Sequence, residues 1–295
     1  MAGEIINRLN VGQVVNVKLT DSAVTNGQNL VDAYNYAKTL TPNGAALSAT
    51  NRVSVIIQPG NYTLAAQLAV NTEFVDLIGL GSIKLRRGCV PAVIIGGNNL
   101  GITANDIRIK GISVGTQSFA INASNLSLQV IEDCAGGNNS FNAVVLTGTF
   151  INCTGGTGSF GSSSFTSMTA SGTFINCQGG NSSFGHNNSG GTASGLFVNC
   201  TVGTSSGFGG GTASGTFIDC EAGSYSFGTY FFGSTAASGT FINCIGSGNS
   251  FANNSGGSPS GEFYRCRLTI GTFKTVTGAG LMRNCIDGNN NTVNQ

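Results

Sequence analysis

Seven times between residues 147 and 285 the chain closes a phrase of one form: TGTFINC at Cys153, SGTFINC at Cys177, SGLFVNC at Cys200, SGTFIDC at Cys220, SGTFINC at Cys244, SGEFYRC at Cys266 and AGLMRNC at Cys285. LQVIEDC, ending at Cys134, is a degenerate earlier member, and from it the successive spacings are 19, 24, 23, 20, 24, 22 and 19 residues. Self-similarity at this period marks a solenoid, in which one short unit stacks on the next and buries a continuous interior. The unequal spacing means that length varies in loops while the phrase itself is fixed.

Three columns run through the repeat. Phe150, Phe174, Phe197, Phe217, Phe241 and Phe263 stand three residues before their cysteines, and a glycine stands five before. A second aromatic column, Phe141, Phe160, Phe184, Phe208, Phe227, Phe251 and Phe273, follows each Cys by seven or eight residues. Helical units are excluded by the glycine, which costs about 1 kcal/mol per helix position relative to Ala. Short apolar runs such as TFI, broken by Asn, Gly and Ser, read as strands between tight turns. The expected fold is all-β: a single-stranded right-handed parallel β-helix, with coils of about 19–24 residues and a short N-terminal capping helix. Phe150, Phe174, Phe197, Phe217, Phe241 and Phe263, with Cys153, Cys177, Cys200, Cys220 and Cys244, form its core ladder. The position before Cys holds Asn152, Asn176, Asn199, Asn243 and Asn284, interrupted by Asp133, Asp219 and Arg265. It reads as a turn ladder, because Asn tolerates the left-handed conformation of a sharp bend.

Charged residues make up only 8% of the chain and the net charge is +1, which argues against a nucleic-acid groove or a membrane-attracting face. Met1 to Val24 lacks the apolar stretch of a signal peptide, and no segment is apolar enough for a membrane span. Synthesis in a cytoplasm is expected, where the nine cysteines stay reduced. Stacked cysteines come close enough for bridges, but a small buried hydrophobe fits the column without them.

Residues 27–40, GQNLVDAYNYAKTL, carry Leu30, Ala33, Tyr34, Ala37 and Leu40 at helical spacing and form the expected cap. The layout is then an N-terminal attachment and oligomerisation segment (1–27), capping helix and linker (28–50), β-helix (51–288) and polar tail (289–295). GQVVNVKL alternates apolar and polar residues, the mark of a strand needing a partner along the solenoid or in another subunit.

IIQPGNYTL followed by FVDLIGLGS, after a short helix, resembles the opening of pectin-lyase-like β-helices, including those of bacteriophage tailspikes. The positions that carry the resemblance are Pro59, Gly60 and Tyr62, then Leu77, Gly79 and Gly81. It covers roughly residues 27–288 and speaks for the fold more than for any chemistry, since the architecture hosts lyases, hydrolases and binders alike.

Polysaccharide-cleaving enzymes need paired carboxylates or a base with a bound metal. The candidates are Glu132 with Asp133 and Asp219 with Glu221. Four coils at about 4.8 Å would hold Asp133 and Asp219 about 19 Å apart, too far for a pair. His186, the one histidine, sits among Asn and Ser as a solvated loop residue, and single stacked cysteines lack zinc-ligand spacing. Lys84, Arg86 and Arg87 form a basic cluster, read as a charged coil edge or an anion contact. No catalytic residue, metal site or cofactor is assigned.

The leading expectation is a non-enzymatic virion structural protein of tailspike or tail-fibre type that contacts a host-surface glycan. Its partners are further copies of itself, most simply a homotrimer as in the tailspikes it resembles, other virion proteins through the N-terminal segment, and host polysaccharide; nucleic acid and membrane insertion are not expected. Tyr225, Tyr230, Phe231 and Phe232 exceed the two aromatics per coil that the interior needs, and are assigned to glycan stacking or to subunit contact. The enzymatic rival is a polysaccharide depolymerase. The third is an ice-binding or other adhesive solenoid, for which Thr149, Thr173, Thr216 and Thr240 form a column broken by Leu196 and Glu262.

Overall fold

The computed structural model describes residues 13–116, 119–121, 128–161, 168–185, 191–203, 205–229, 235–252 and 257–295. The chain is a right-handed parallel β-solenoid of about 9 turns with one N-terminal helix. A 12-stranded sheet runs its length in strict chain order, from Gln13–Asn16 to Leu281–Arg283, with every neighbouring pair parallel. A six-stranded sheet, from Val145–Leu146 to Gly257–Pro259, forms a second wall.

The repeated phrase is the unit of both walls. In each TFI strand the Phe points inward and is fully buried, while Thr and Ile are half-buried outside. Register pairs Phe150 with Phe174, and onward through Phe197, Phe217, Phe241 and Phe263. Their rings stack face to face at 4.8–5.2 Å. The second file, Phe141 to Phe251, stacks at 4.6–5.0 Å and meets the first edge-on. Each ring thus has stacked neighbours along the axis and edge contacts across it, worth about 0.5–1.5 kcal/mol per pair beyond area burial.

Three corners bend each coil. At the first, the glycine five before Cys lies against the glycine one coil below; a Cβ on Gly195, Gly215, Gly239 or Gly261 would strike that backbone. Ser171 and Gly172 both donate from N–H to Leu146 O at 2.9 Å, which turns the chain from one sheet into the other. At the second, Asp133, Asn152, Asn176, Asn199, Asp219, Asn243, Arg265 and Asn284 all adopt left-handed φ of 51–55°. At the third, the second phenylalanines are themselves left-handed, at φ 53–58°. Repetition of a costly conformation at a bulky residue persists because the buried ring stack over-determines it.

The coil also corrects its own volume. A buried Ser precedes the second Phe at positions 140, 159, 183, 226 and 250, and four of these face a glycine, Gly136, Gly155, Gly179 or Gly246, while Ala222 holds the matching position four residues before Ser226. In the remaining coil Val202 takes the glycine's place and Gly207 takes the serine's.

The helix spans Ala23–Ala37, beginning four residues and ending three residues earlier than the sequence spacing suggests, with Ser22 Oγ accepting from Thr25 N–H. It buries Asn26, Gly27, Leu30, Tyr34 and Ala37 over the first coil, and Tyr34 Oη accepts from Asn71 and Thr72 N–H. The strand expected in the N-terminal stretch finds its partner along the solenoid: Gln13–Asn16 pairs with Val53–Ile56 as the first strand of the long sheet. Residues 13–27 are therefore part of the capped solenoid end, so the boundary drawn at residue 27 moves; residues 1–12 lie outside the described residues. At the other end, residues 289–295 are no loose tail. Thr292–Val293 pairs antiparallel with Cys285–Ile286, and Met282 and Gln295 exchange both backbone hydrogen bonds. Polar composition concealed this cap, because what it closes is open backbone rather than apolar surface.

Candidate functional site

The asparagine corner is hydrogen-bonded from coil to coil. Asn152 Nδ2 donates to Asp133 Oδ1 at 2.9 Å, Asn176 to Asn152 Oδ1 at 3.1 Å, Asn199 to Asn176 Oδ1 at 2.9 Å, and Asn243 to Asp219 Oδ1 at 3.1 Å. Each of these amides donates toward the N-terminal end, and Asn152 and Asn176 also accept from the coil on the C-terminal side. A carboxylate can only accept, so Asp133 starts one run and Asp219 breaks it and starts another.

A hairpin lies over the first run. Ile83–Lys84 pairs antiparallel with Cys89–Val90, and the turn between them reaches along the coils. Gly88 N–H donates to Asn176 O, and Cys89 N–H to Thr154 Oγ1. Lys84 Nζ stands 3.4 Å from Glu132 and 3.6 Å from Asp133, joined by Lys110 Nζ at 3.1 and 3.8 Å. Arg87 donates from Nε to Asn199 Oδ1, from Nη1 to Glu221 Oε2 and from Nη2 to Asp219 O, at 2.9, 2.9 and 3.3 Å. The basic cluster Lys84, Arg86 and Arg87 is thus a strap, and not a coil edge: two of its cations neutralise carboxylates of the corner it covers. Nothing in the repeat announced it, because the hairpin occurs once and its partners lie 48–134 residues away.

Both carboxylate candidates are consumed in this arrangement. Asp133 and Asp219 stand four coils apart in the ladder, as their spacing suggested. Burial pushes Glu132 up, yet Lys110 and Lys84 outweigh it and hold its carboxyl below the usual range. Glu221 is exposed and bound by Arg87. Among the described residues no three His, Cys, Asp or Glu side chains converge as metal ligands. His186 lies outside the described residues.

All nine cysteines are buried free thiols. Ladder members donate S–H to main-chain carbonyls of the preceding coil: Cys177 to Phe150 O at 3.4 Å, Cys200 to Phe174 O at 3.3 Å, Cys244 to Phe217 O at 3.4 Å. Burial pushes the Cys177, Cys220 and Cys244 thiols well up.

Beside the strap runs a shallow groove of about 450 Å³, lined by Gln178, Thr201, Glu221, Ser247 and Thr269 among others. Its lining includes the residue after Cys on four coils, Gln178, Thr201, Glu221 and Ile245, a lane in register coil upon coil that continues beneath the strap as Thr154. A cavity of about 360 Å³ at the strap's tip, bounded by Arg86, Arg87, Asp219 and Asn243, shares Glu221 and Ile245 with it. The position after Cys was the available sequence signal for this lane, and its chemical variety hid it. Of the aromatics assigned to glycan or subunit contact, Tyr225 is half-buried in the strand Ser224–Ser226, its N–H donating to Gly248 O at 3.3 Å. It follows Gly223 of the groove by two residues. Tyr230, Phe231 and Phe232 lie outside the described residues. Compared with protein-family models, with curated proteins and with solved structures, the chain matches none.

Proposed function

We propose that this chain is a non-enzymatic surface solenoid that contacts a glycan, a virion protein of the tailspike or tail-fibre type with a pectin-lyase-like β-helix. The observation that carries the reading is the groove over Gln178, Thr201, Ser247 and Thr269. Gln178 and Thr201 stand in register on neighbouring coils there, with Ser247 and Thr269 further along the open trough, and such amide and hydroxyl groups suit the shared hydrogen bonds of a sugar chain. The carboxylates nearest to it serve the strap instead of standing free as an acid and base pair. Tyr225, Tyr230, Phe231 and Phe232 supply ring faces for stacking or for subunit contact.

In this reading the chain assembles as a homo-oligomer, a trimer by analogy with tailspikes, and attaches to other virion proteins through its N-terminal residues. The strap's outward face, with Ile83, Leu85 and Val90 exposed, favours such packing. An array of purified bacterial surface polysaccharides, neutral and acidic, tests glycan contact: saturable binding to one of them is expected, and binding to none overturns the reading. Light scattering at micromolar concentration tests assembly, where a monomer unchanged by deleting residues 1–12 defeats it.

A further inference from the structure

The strap ends at the fifth coil of the ladder, and beyond it the corner is open. Asn152 and Asp133 are buried beneath the hairpin, whereas Asp219, Asn243, Arg265 and Asn284 are exposed. On the last two coils of this open corner stand three arginines. Arg265 and Arg267 flank the inward Cys266 and are exposed. Arg283 registers against Tyr264 on the next strand, and Arg265 N–H donates to Arg283 O at 2.9 Å. In a chain with 13 cations, residues 262–287 hold four against two carboxylates. None of the three arginines has an ion-pair partner among the described residues. Of the acids on these coils and beside the groove, Glu221 is bound by Arg87 and Asp287 accepts from Asn289 and Asn291 N–H, while Glu262, exposed on the strand Glu262–Tyr264, makes no ion pair with the three arginines among the described residues.

Their placement is continuous with the groove. Arg267 registers with Ile245 and so extends the lane Gln178, Thr201, Glu221. Arg265 extends the ladder column past Asn243. It does so at φ 54°, a left-handed position that other coils give to Asn or Asp. Guanidinium has no amide-like preference for that conformation and accepts no hydrogen bond, so the local fold gains nothing from arginine there. A residue kept against the backbone preference of its site points to a use outside the fold.

Resting on the glycan reading above, we infer that Arg265, Arg267 and Arg283 form an anion-recognition end of the groove, and that the glycan is acidic, bearing carboxylate or sulfate groups. Guanidinium forks match both anions in bidentate geometry. Half-buried Tyr264 lies beside Arg283 as a face for the sugar ring. A nucleic acid fits less well: three cations on two coils, next to a neutral groove, do not make the extended basic stripe that a phosphate backbone requires.

The test uses the intact protein on immobilised polygalacturonate, dextran sulfate, neutral dextran and a short DNA duplex. Binding to an anionic glycan in preference to dextran is expected, and which of the two binds identifies carboxylate or sulfate. Arg265→Gln with Arg267→Gln should weaken it about tenfold or more. Lys18→Gln with Arg108→Gln, an equal charge loss at the other end, should not. Arg265→Asn separates binding from folding: it should keep or raise the thermal midpoint while weakening the complex. Unchanged binding in the arginine variants overturns the proposal and leaves the glycan reading standing. Failure of both anionic polymers to bind also overturns it, and the glycan reading then rests on the polysaccharide array alone. Tighter binding of the duplex overturns the ligand class.

Discussion

Arg87 donates from Nε to Asn199 Oδ1 at 2.9 Å, at the coil where Asp219 deprives that oxygen of an amide donor. The strap therefore supplies the hydrogen bond that the ladder lacks. Arg87→Ala should cost about 1–2 kcal/mol, the net worth of hydrogen bonds to charged groups reduced for exposed Glu221. Asp219→Asn restores a donor within the ladder. Arg87→Ala should then cost less in the Asp219→Asn background than alone, read by denaturant unfolding in a double-mutant cycle. Additive effects would show that Arg87 and the ladder act separately.

Gly207 and Val202 exchange volume with the Gly and Ser of neighbouring coils. A Cβ on Gly207 would fall within the Val202 side chain. Gly207→Ser should destabilise by about 1–3 kcal/mol through overpacking. Adding Val202→Gly recreates the pair Gly179 and Ser183 and should recover most of the loss, measured by thermal unfolding.

Glu132 is held below the usual carboxylate range against the pull of burial, by Lys110 and then Lys84. A depressed folded-state pKa contributes stability that is present above the unfolded value and is lost as pH falls through the folded one. Stability should fall on acidification below about pH 4, and Glu132→Gln should flatten that limb. An unchanged acid limb in the variant would place the effect elsewhere.

Cys153, Cys177, Cys200, Cys220 and Cys244 are buried to within 1%. They should resist a thiol reagent in the native protein and react together on unfolding, because burial in the core denies the reagent access. Native disulfides found by mass spectrometry would contradict this.

What the sequence revealed was what the chain repeats. The Phe at three before Cys, the Gly at five before and the Asn at one before each recur often enough to be read as columns, and each corresponds to a stack or a corner. Features that occur once were hidden. The strap is written in IKLRRGCV, residues 83–90, whose partners, Asn176, Asn199 and Glu221, come from distant coils. GQVVNVKL was legible as a strand, though not which of its two possible partners it takes, and NNNTVNQ looks like a polar tail until the open sheet edge it covers is in place. Left-handed phenylalanines at 141 to 251 were illegible for a different reason: that conformation is set by the ring stack, and no local preference favours it. For the groove, only the lane after Cys was available as a signal, and its occupants share a position without sharing a chemistry.

The central claim is that this solenoid holds a surface glycan without cleaving it. Incubating the protein with the polysaccharide it captures on the array, and following both chain length by size-exclusion chromatography and the appearance of reducing ends, tests that claim most directly. The account predicts a retained complex with chain length and reducing-end signal unchanged over prolonged incubation. A falling chain length with rising reducing ends would contradict it and make the chain a depolymerase.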